Sequence, residues 1–153
     1  MRDTRKHSLA QRLAKSEQGQ ALVEMALMTP ILLILIAGIV EAGRAFVIYV
    51  QLENASREGA RAGVLVPKLT SDIQAATRRE LPTEIANAVN VVVTCSSGIT
   101  STFLDCVTSF PPNSGDKIAV SVSYNYEPIM PIVNGITTLT NLTMHANTVM
   151  QVQ

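Results

Sequence analysis

The sequence predicts an α+β protein: one long N-terminal transmembrane helix that continues into a small extracytoplasmic domain of short helices and a three- or four-stranded antiparallel sheet. Three observations predict it. Residues 20–40 form a stretch of twenty-one residues carrying one charge, Glu24. Good helix formers then continue without proline through residue 63, and from Val91 the pattern changes to β-branched residues and alternation at period two. The boundaries that follow are a basic segment at 1–19, a helix at 20–64 with its membrane span at about 20–42, and an α+β domain at 65–153.

The chain has 153 residues, enough for one modest domain and an appendage, and its 47% apolar content can supply a core rather than a disordered coil. Twelve basic residues balance twelve acidic ones, so no global positive field points to nucleic acid. The local charge is uneven. Residues 1–19 carry Arg2, Arg5, Lys6, Arg12 and Lys15 against Asp3 and Glu17. Taken as helix, residues 20–40 reach about 31 Å, against a hydrocarbon core of roughly 30 Å. The basic segment before the span predicts a cytoplasmic N-terminus, which sends the rest of the chain to the other side.

A cleaved secretory signal would also begin basic and turn apolar, and Val40, Glu41 and Ala42 put small residues at suitable offsets for its removal. Against that, the helical pattern does not stop there. The run EAGRAFVIYVQLENASREGARAG, residues 41–63, continues it, with apolar Phe46, Val47, Val50 and Leu52 expected on roughly one side. An uncleaved anchor is the other plain reading.

Glu24 stands out within the apolar stretch. An ionisable group in hydrocarbon costs on the order of 2.5–3.5 kcal/mol on insertion scales, so such a group ordinarily has a partner or a task. Near the start of the span it could also snorkel to the headgroups. Pro30 lies mid-span, lacks an amide donor and is expected to kink the helix near residues 26–30. Farther on, Ala55, Gly59 and Gly63 recur every four residues, a ridge of small side chains that would let another helix or a sheet approach closely; fraying toward Val64 and Pro67 is the alternative. Glu53 and Arg57 form an ordinary exposed pair one helical turn apart.

Three separated strings carry a more specific signal. GQALVE at residues 19–24, GIVEAGRAF at 38–46 and NASREGAR at 54–61, together with Pro30, resemble the N-terminal segment of TadE-like proteins, the pseudopilins of tight-adherence (Flp) pilus systems. The resemblance covers roughly residues 18–65. It implies a processing site of the type IV pilin kind, with cleavage between Gly19 and Gln20 and a glutamate fifth in the mature chain. Met25 departs from the tyrosine usual at that place in the related major pilins. After such a cut the new amine of Gln20 would lie one helical turn from Glu24, so the two charges could offset one another in lipid. What the resemblance implies is pairing between neighbouring subunits, with Glu24 of one meeting the amine of another.

The remainder of the chain reads as a small mixed domain. Residues 68–90 suggest one or two short amphipathic helices broken at Pro82, with Thr70 or Ser71 and then Thr83 as expected N-caps. VVVTC at residues 91–95 and IAVSVSY at 118–124 read as strands, and Thr137–Val152 alternates more loosely. Residues 115–131 resemble the late strand of the same family. Cys95 and Cys106 enclose ten residues, and on the oxidising side of a membrane two cysteines in one small domain are expected to pair. A zinc site would need further cysteine or histidine ligands that the neighbourhood lacks, so no metal is expected.

Catalysis finds little support. His7 falls in the basic leader and His145 stands alone on an expected strand, and no phosphate loop, nucleophile elbow or HExxH appears. No cofactor, catalytic residue or small-molecule substrate is assigned. The resemblance implies a minor pseudopilin of a bacterial inner membrane, with a prepilin peptidase, a second pseudopilin, the major pilin and the assembly platform as partners. Tight-adherence major pilins are little more than the helix, whereas this chain carries about ninety residues beyond it. The competing class is an extracytoplasmic binding module on an uncleaved anchor, capturing a ligand through the loop closed by Cys95 and Cys106.

Overall fold

The computed structural model describes residues 4–65, 69–96, 103–106, 115–129 and 142–152. Three helices, α1 (Thr4–Leu65), α2 (Thr70–Arg79) and α3 (Thr83–Ala88), precede the strands β1 (Asn90–Ser96), β2 (Leu104–Asp105), β3 (Lys117–Tyr126) and β4 (Leu142–Gln151). This is the expected α+β class. The first helix starts earlier than expected, inside the basic segment. Residues 137–141, read as part of the last strand, lie outside the described residues, as do most of the loops around residues 97–114.

The chain divides into two compact units, Met1–Glu41 and Ala42–Gln153. The first consists of the earlier part of α1 alone. In the second, β1 to β4 form one antiparallel sheet in the order β2-β1-β3-β4. β3 and β4 pair without a bulge over ten residues, from Lys117 opposite Gln151 to Tyr126 opposite Leu142. Alternation along the strands sends Val91, Val93, Ile118, Val120, Val122, Met144 and Ala146 to one face, where they are buried. Leu52 and Ala55 of α1, Ile73 of α2 and Leu81 join them in the same core. Burying a side chain of this size contributes about 1.5–3 kcal/mol.

At the far end of the β3·β4 ladder, Gly115 takes φ +99°, a left-handed conformation that side-chain-bearing residues rarely adopt. Its amide donates to Val152 O at 2.9 Å, and the Val152 amide donates to Asp116 O at 2.8 Å, which carries the pairing past the last strand residues.

Helix α1 crosses this sheet face with a definite direction. Arg44 meets Tyr126, Ser56 meets Thr148, and Gly63 lies against Ile118, the residue opposite Met150. Residues 44–63 of α1 and strand β4 therefore run the same way. The Ser56 and Thr148 hydroxyls are 2.7 Å apart across ninety-two residues of chain. Since the Ser56 hydroxyl proton is given to Glu53 O at 2.9 Å, Thr148 is the donor in that pair.

Two local expectations are corrected. Leu52 does not share a side with Phe46, Val47 and Val50: it is fully buried, whereas they are 66%, 55% and 39% exposed. Six residues on a helix advance by about 600°, which leaves Leu52 some 240° around from Phe46. The core-facing side instead follows Ala45, Ile48, Leu52, Ala55 and Gly59. The short helices also lack side-chain N-caps. Thr70 is already the first helical residue, after Leu69, and its hydroxyl donates to Cys106 O at 3.0 Å instead of accepting from a helix amide. Thr83 likewise opens α3, behind Pro82, whose ring presets φ.

Candidate functional site

The earlier part of α1 displays an apolar surface that water does not tolerate. Leu22, Val23, Met25, Leu27, Met28, Ile31, Leu33, Ile36 and Ile39 are between 48% and 69% exposed, and they point in every direction around the helix. Among the described residues this is the one helix long and apolar enough to cross a membrane, with a mean hydropathy of 2.4 and only 6% of the window buried. A core helix of a soluble domain would be covered; this one is not.

Gly19, Gln20 and Glu24 all lie on this surface, exposed, with α1 continuous through the Gly19–Gln20 peptide bond. One helical turn separates Gln20 from Glu24. The helix also continues through Pro30. Proline has no amide to give to the Ala26 carbonyl, and immediately before it the Thr29 hydroxyl donates to Met25 O at 2.7 Å. That bond satisfies the hydroxyl inside the helix, as a side chain in hydrocarbon requires. At the other end of the apolar surface, Ala37 and Glu41 are buried.

In the second unit the ridge of small residues is covered from within the same chain. Ala55 is fully buried. A β-carbon at Gly59 would run into the Thr77 hydroxyl and would lie 3.2 Å from Thr77 Cβ and 3.3 Å from Val120 Cγ1. A β-carbon at Gly63 would lie 2.9 Å from Ile73 Cδ1 and 3.1 Å from Ile118 Cδ1. The two glycines thus let α2 and β3 approach the helix backbone. The opposite side of α1 carries Phe46, Val47 and Val50, and then changes to charge: Glu53 pairs with Arg57 and Glu58 with Arg61, each at 3.6 Å. In both pairs the arginine is exposed and the glutamate half-buried, and each contributes a few tenths of a kcal/mol.

Cys95 of β1 and Cys106, just past β2, form a disulfide with their Cα atoms 5.2 Å apart. It fastens the two-residue strand β2 to the sheet, where Thr94–Asp105 and Cys95–Leu104 pair among the described residues. The pairing of Arg44 with Tyr126 had no signal in the sequence. The Arg44 guanidinium donates to the Tyr126 hydroxyl at 3.3 Å and lies 5.6 Å from the ring centroid, tying the start of the second unit to the end of β3. Beside Arg44 a cleft of about 470 Å³ opens between residues 43–51 of α1 and residues 82–85. Among the described residues no cluster of His, Cys, Asp and Glu could hold a metal ion.

Among the described residues, one exposed apolar helix joined to a small α+β domain suggests a single-pass membrane anchor. The family model described as TadE-like protein matches residues 19–61, the family that the strings at 19–24, 38–46 and 54–61 resemble. The match begins at Gly19 and takes in Glu24, Pro30, Ala55 and Gly59. The match suggests involvement in a tight-adherence pilus system. No curated protein and no solved structure matches the chain.

Proposed function

We propose that this chain is a minor pseudopilin of a tight-adherence (Flp) type IV pilus. A prepilin peptidase cuts it between Gly19 and Gln20, and residues 20–42 then hold it in the bacterial inner membrane. Its N-terminus faces the cytoplasm and residues 65–153 face outward. The observation that carries this reading is the coincidence of the family segment with the chemistry. The match starts at Gly19, immediately before the apolar run of residues 20–40, and one carboxylate, Glu24, follows a single helical turn after Gln20.

The work of such a subunit is packing, not catalysis. An ammonium released at Gln20 and the Glu24 carboxylate are each costly in lipid and offset one another when paired, so Glu24 of one subunit meeting the amine of another would fix axial register. Pro30 gives the helix a place to bend during incorporation. The partners are a second pseudopilin, the major pilin and the inner-membrane assembly platform. Covering Ala55, Gly59 and Gly63 within the chain leaves Phe46, Val47 and Val50 as the surface of α1 open to a neighbour beyond the span.

Mass spectrometry of the mature N-terminus in a host with an active prepilin peptidase tests this reading. A chain beginning at Gln20 supports the pseudopilin; a chain beginning at Met1 supports an uncleaved anchor carrying a binding module.

A further inference from the structure

The cleft beside Arg44 has a composition that points to a ligand. Its apolar wall is made by Val47 and Ile48 of α1 and Ile85 of α3, and its polar groups are Arg44, Gln51 and Glu84. Its lining therefore includes one cationic and one anionic side chain, with an amide and an apolar wall between the two helices. Arg44 is held in place by the Tyr126 hydroxyl and ring, whereas Glu84 is exposed at the rim. The position matters as much as the composition. Arg44 follows Val40, the last residue of the uncharged run, by four places in the sequence, about 6 Å of helix. The headgroup layer beyond the hydrocarbon core has a thickness of that order.

We infer that this cleft seats the headgroup of a zwitterionic phospholipid bearing a primary ammonium, a phosphoethanolamine lipid. The guanidinium suits the phosphate, to which arginine makes charge-assisted hydrogen bonds. The Glu84 carboxylate suits an ammonium that still carries N–H donors. A phosphocholine headgroup offers a quaternary ammonium without donors, and a phosphoglycerol headgroup offers no cation to Glu84. The apolar wall of Val47, Ile48 and Ile85 suits the glycerol and first methylenes. This inference rests on the anchoring of the chain in a bilayer and not on its part in a pilus.

The test uses the full-length chain in nanodiscs of equal parts phosphoethanolamine, phosphocholine and phosphoglycerol lipid with identical acyl chains, with retained lipid read by native mass spectrometry after gentle release. The wild-type chain is expected to retain phosphoethanolamine lipid over the other two by about tenfold, the discrimination one charge-assisted hydrogen bond supports. Glu84→Lys, at an exposed position, is expected to keep the thermal midpoint and to turn the preference toward phosphoglycerol lipid. Arg44→Gln is expected to lower retention of all three. Equal retention of the three lipids by the wild type overturns the inference, as does an unchanged preference in folded Glu84→Lys. Displacement of the lipid by soluble phosphoethanolamine at equal concentration would overturn the assignment to a lipid.

Discussion

Gly59 and Thr77 meet so closely that no side chain fits between them: a β-carbon on Gly59 would occupy the space of the Thr77 hydroxyl. Thr77 is itself fully buried and donates that hydroxyl to Ile73 O at 2.8 Å, so it is held against the helix by its own backbone. In an open helix, glycine to alanine stabilises by about 1 kcal/mol. Here the sign is expected to reverse. Gly59→Ala should cost about 1–3 kcal/mol by overpacking, read as a drop in the denaturation midpoint of the detergent-solubilised chain. Thr77→Ala should restore part of that loss in the double variant; a Gly59→Ala chain as stable as wild type would remove the contact from the argument.

Gly63 gives a graded comparison. Its nearest neighbours are the Cδ1 tips of Ile73 and Ile118, which rotate away more readily than the short, branched Thr77. Gly63→Ala is expected to cost less than Gly59→Ala, below about 1 kcal/mol, in the same denaturation assay.

The hydroxyl pair Ser56 and Thr148 makes an asymmetric prediction. Ser56→Ala removes the acceptor and leaves the Thr148 donor inside the domain, at about 1–2 kcal/mol. Thr148→Val keeps the shape and leaves Ser56 bonded to Glu53 O, so it should cost less. The double variant should be no worse than Ser56→Ala alone, a coupling that a double-mutant cycle in urea measures.

The Cys95–Cys106 disulfide closes a ring of twelve residues, for which loop entropy gives roughly 3 kcal/mol. Replacing both cysteines by serine is expected to lower stability by about 2–3 kcal/mol. The added loss should fall on β2 and the β1 edge, so amide exchange should rise at Leu104 and Asp105 before it rises in β3 and β4. Uniform acceleration throughout the sheet would contradict that local role.

Processing and assembly separate in two variants. Gly19→Ala is expected to block maturation, leaving a chain that starts at Met1. Glu24→Ala is expected to be cut normally and yet to give no pili, as counted by electron microscopy of the producing cells. Normal piliation by Glu24→Ala would end the proposed role of that carboxylate.

Much of the fold was legible because period carries it. The apolar run at 20–40 specifies the anchoring helix, and alternation through Ile118, Val120 and Val122 specifies the buried face of β3. Spacing alone also singled out Gly59 and Gly63, although what covers them depends on Thr77, Ile73 and Ile118, which no local pattern joins to them. Contacts between distant residues were not legible: Arg44 with Tyr126 spans eighty-two positions, and neither residue is unusual where it stands. Leu52 parts from Phe46, Val47 and Val50 because each residue turns the helix by about 100°, so apolar residues close in sequence do not share a side. Thr70 does not cap α2 because its hydroxyl serves Cys106 O, a partner thirty-six residues away that no local pattern reveals.

The last strand has a consequence for how the protein is made. When Ser56 leaves the ribosome, ninety-two residues remain before Thr148, roughly 5–18 s of synthesis at about 5–20 residues per second. During that interval Leu52, Ala55 and Ser56 have no β4 to close over them. A nascent chain halted before residue 142 carries a finished anchor and an unfinished lid, and its sticky inner helix face is what a chaperone or protease would find first.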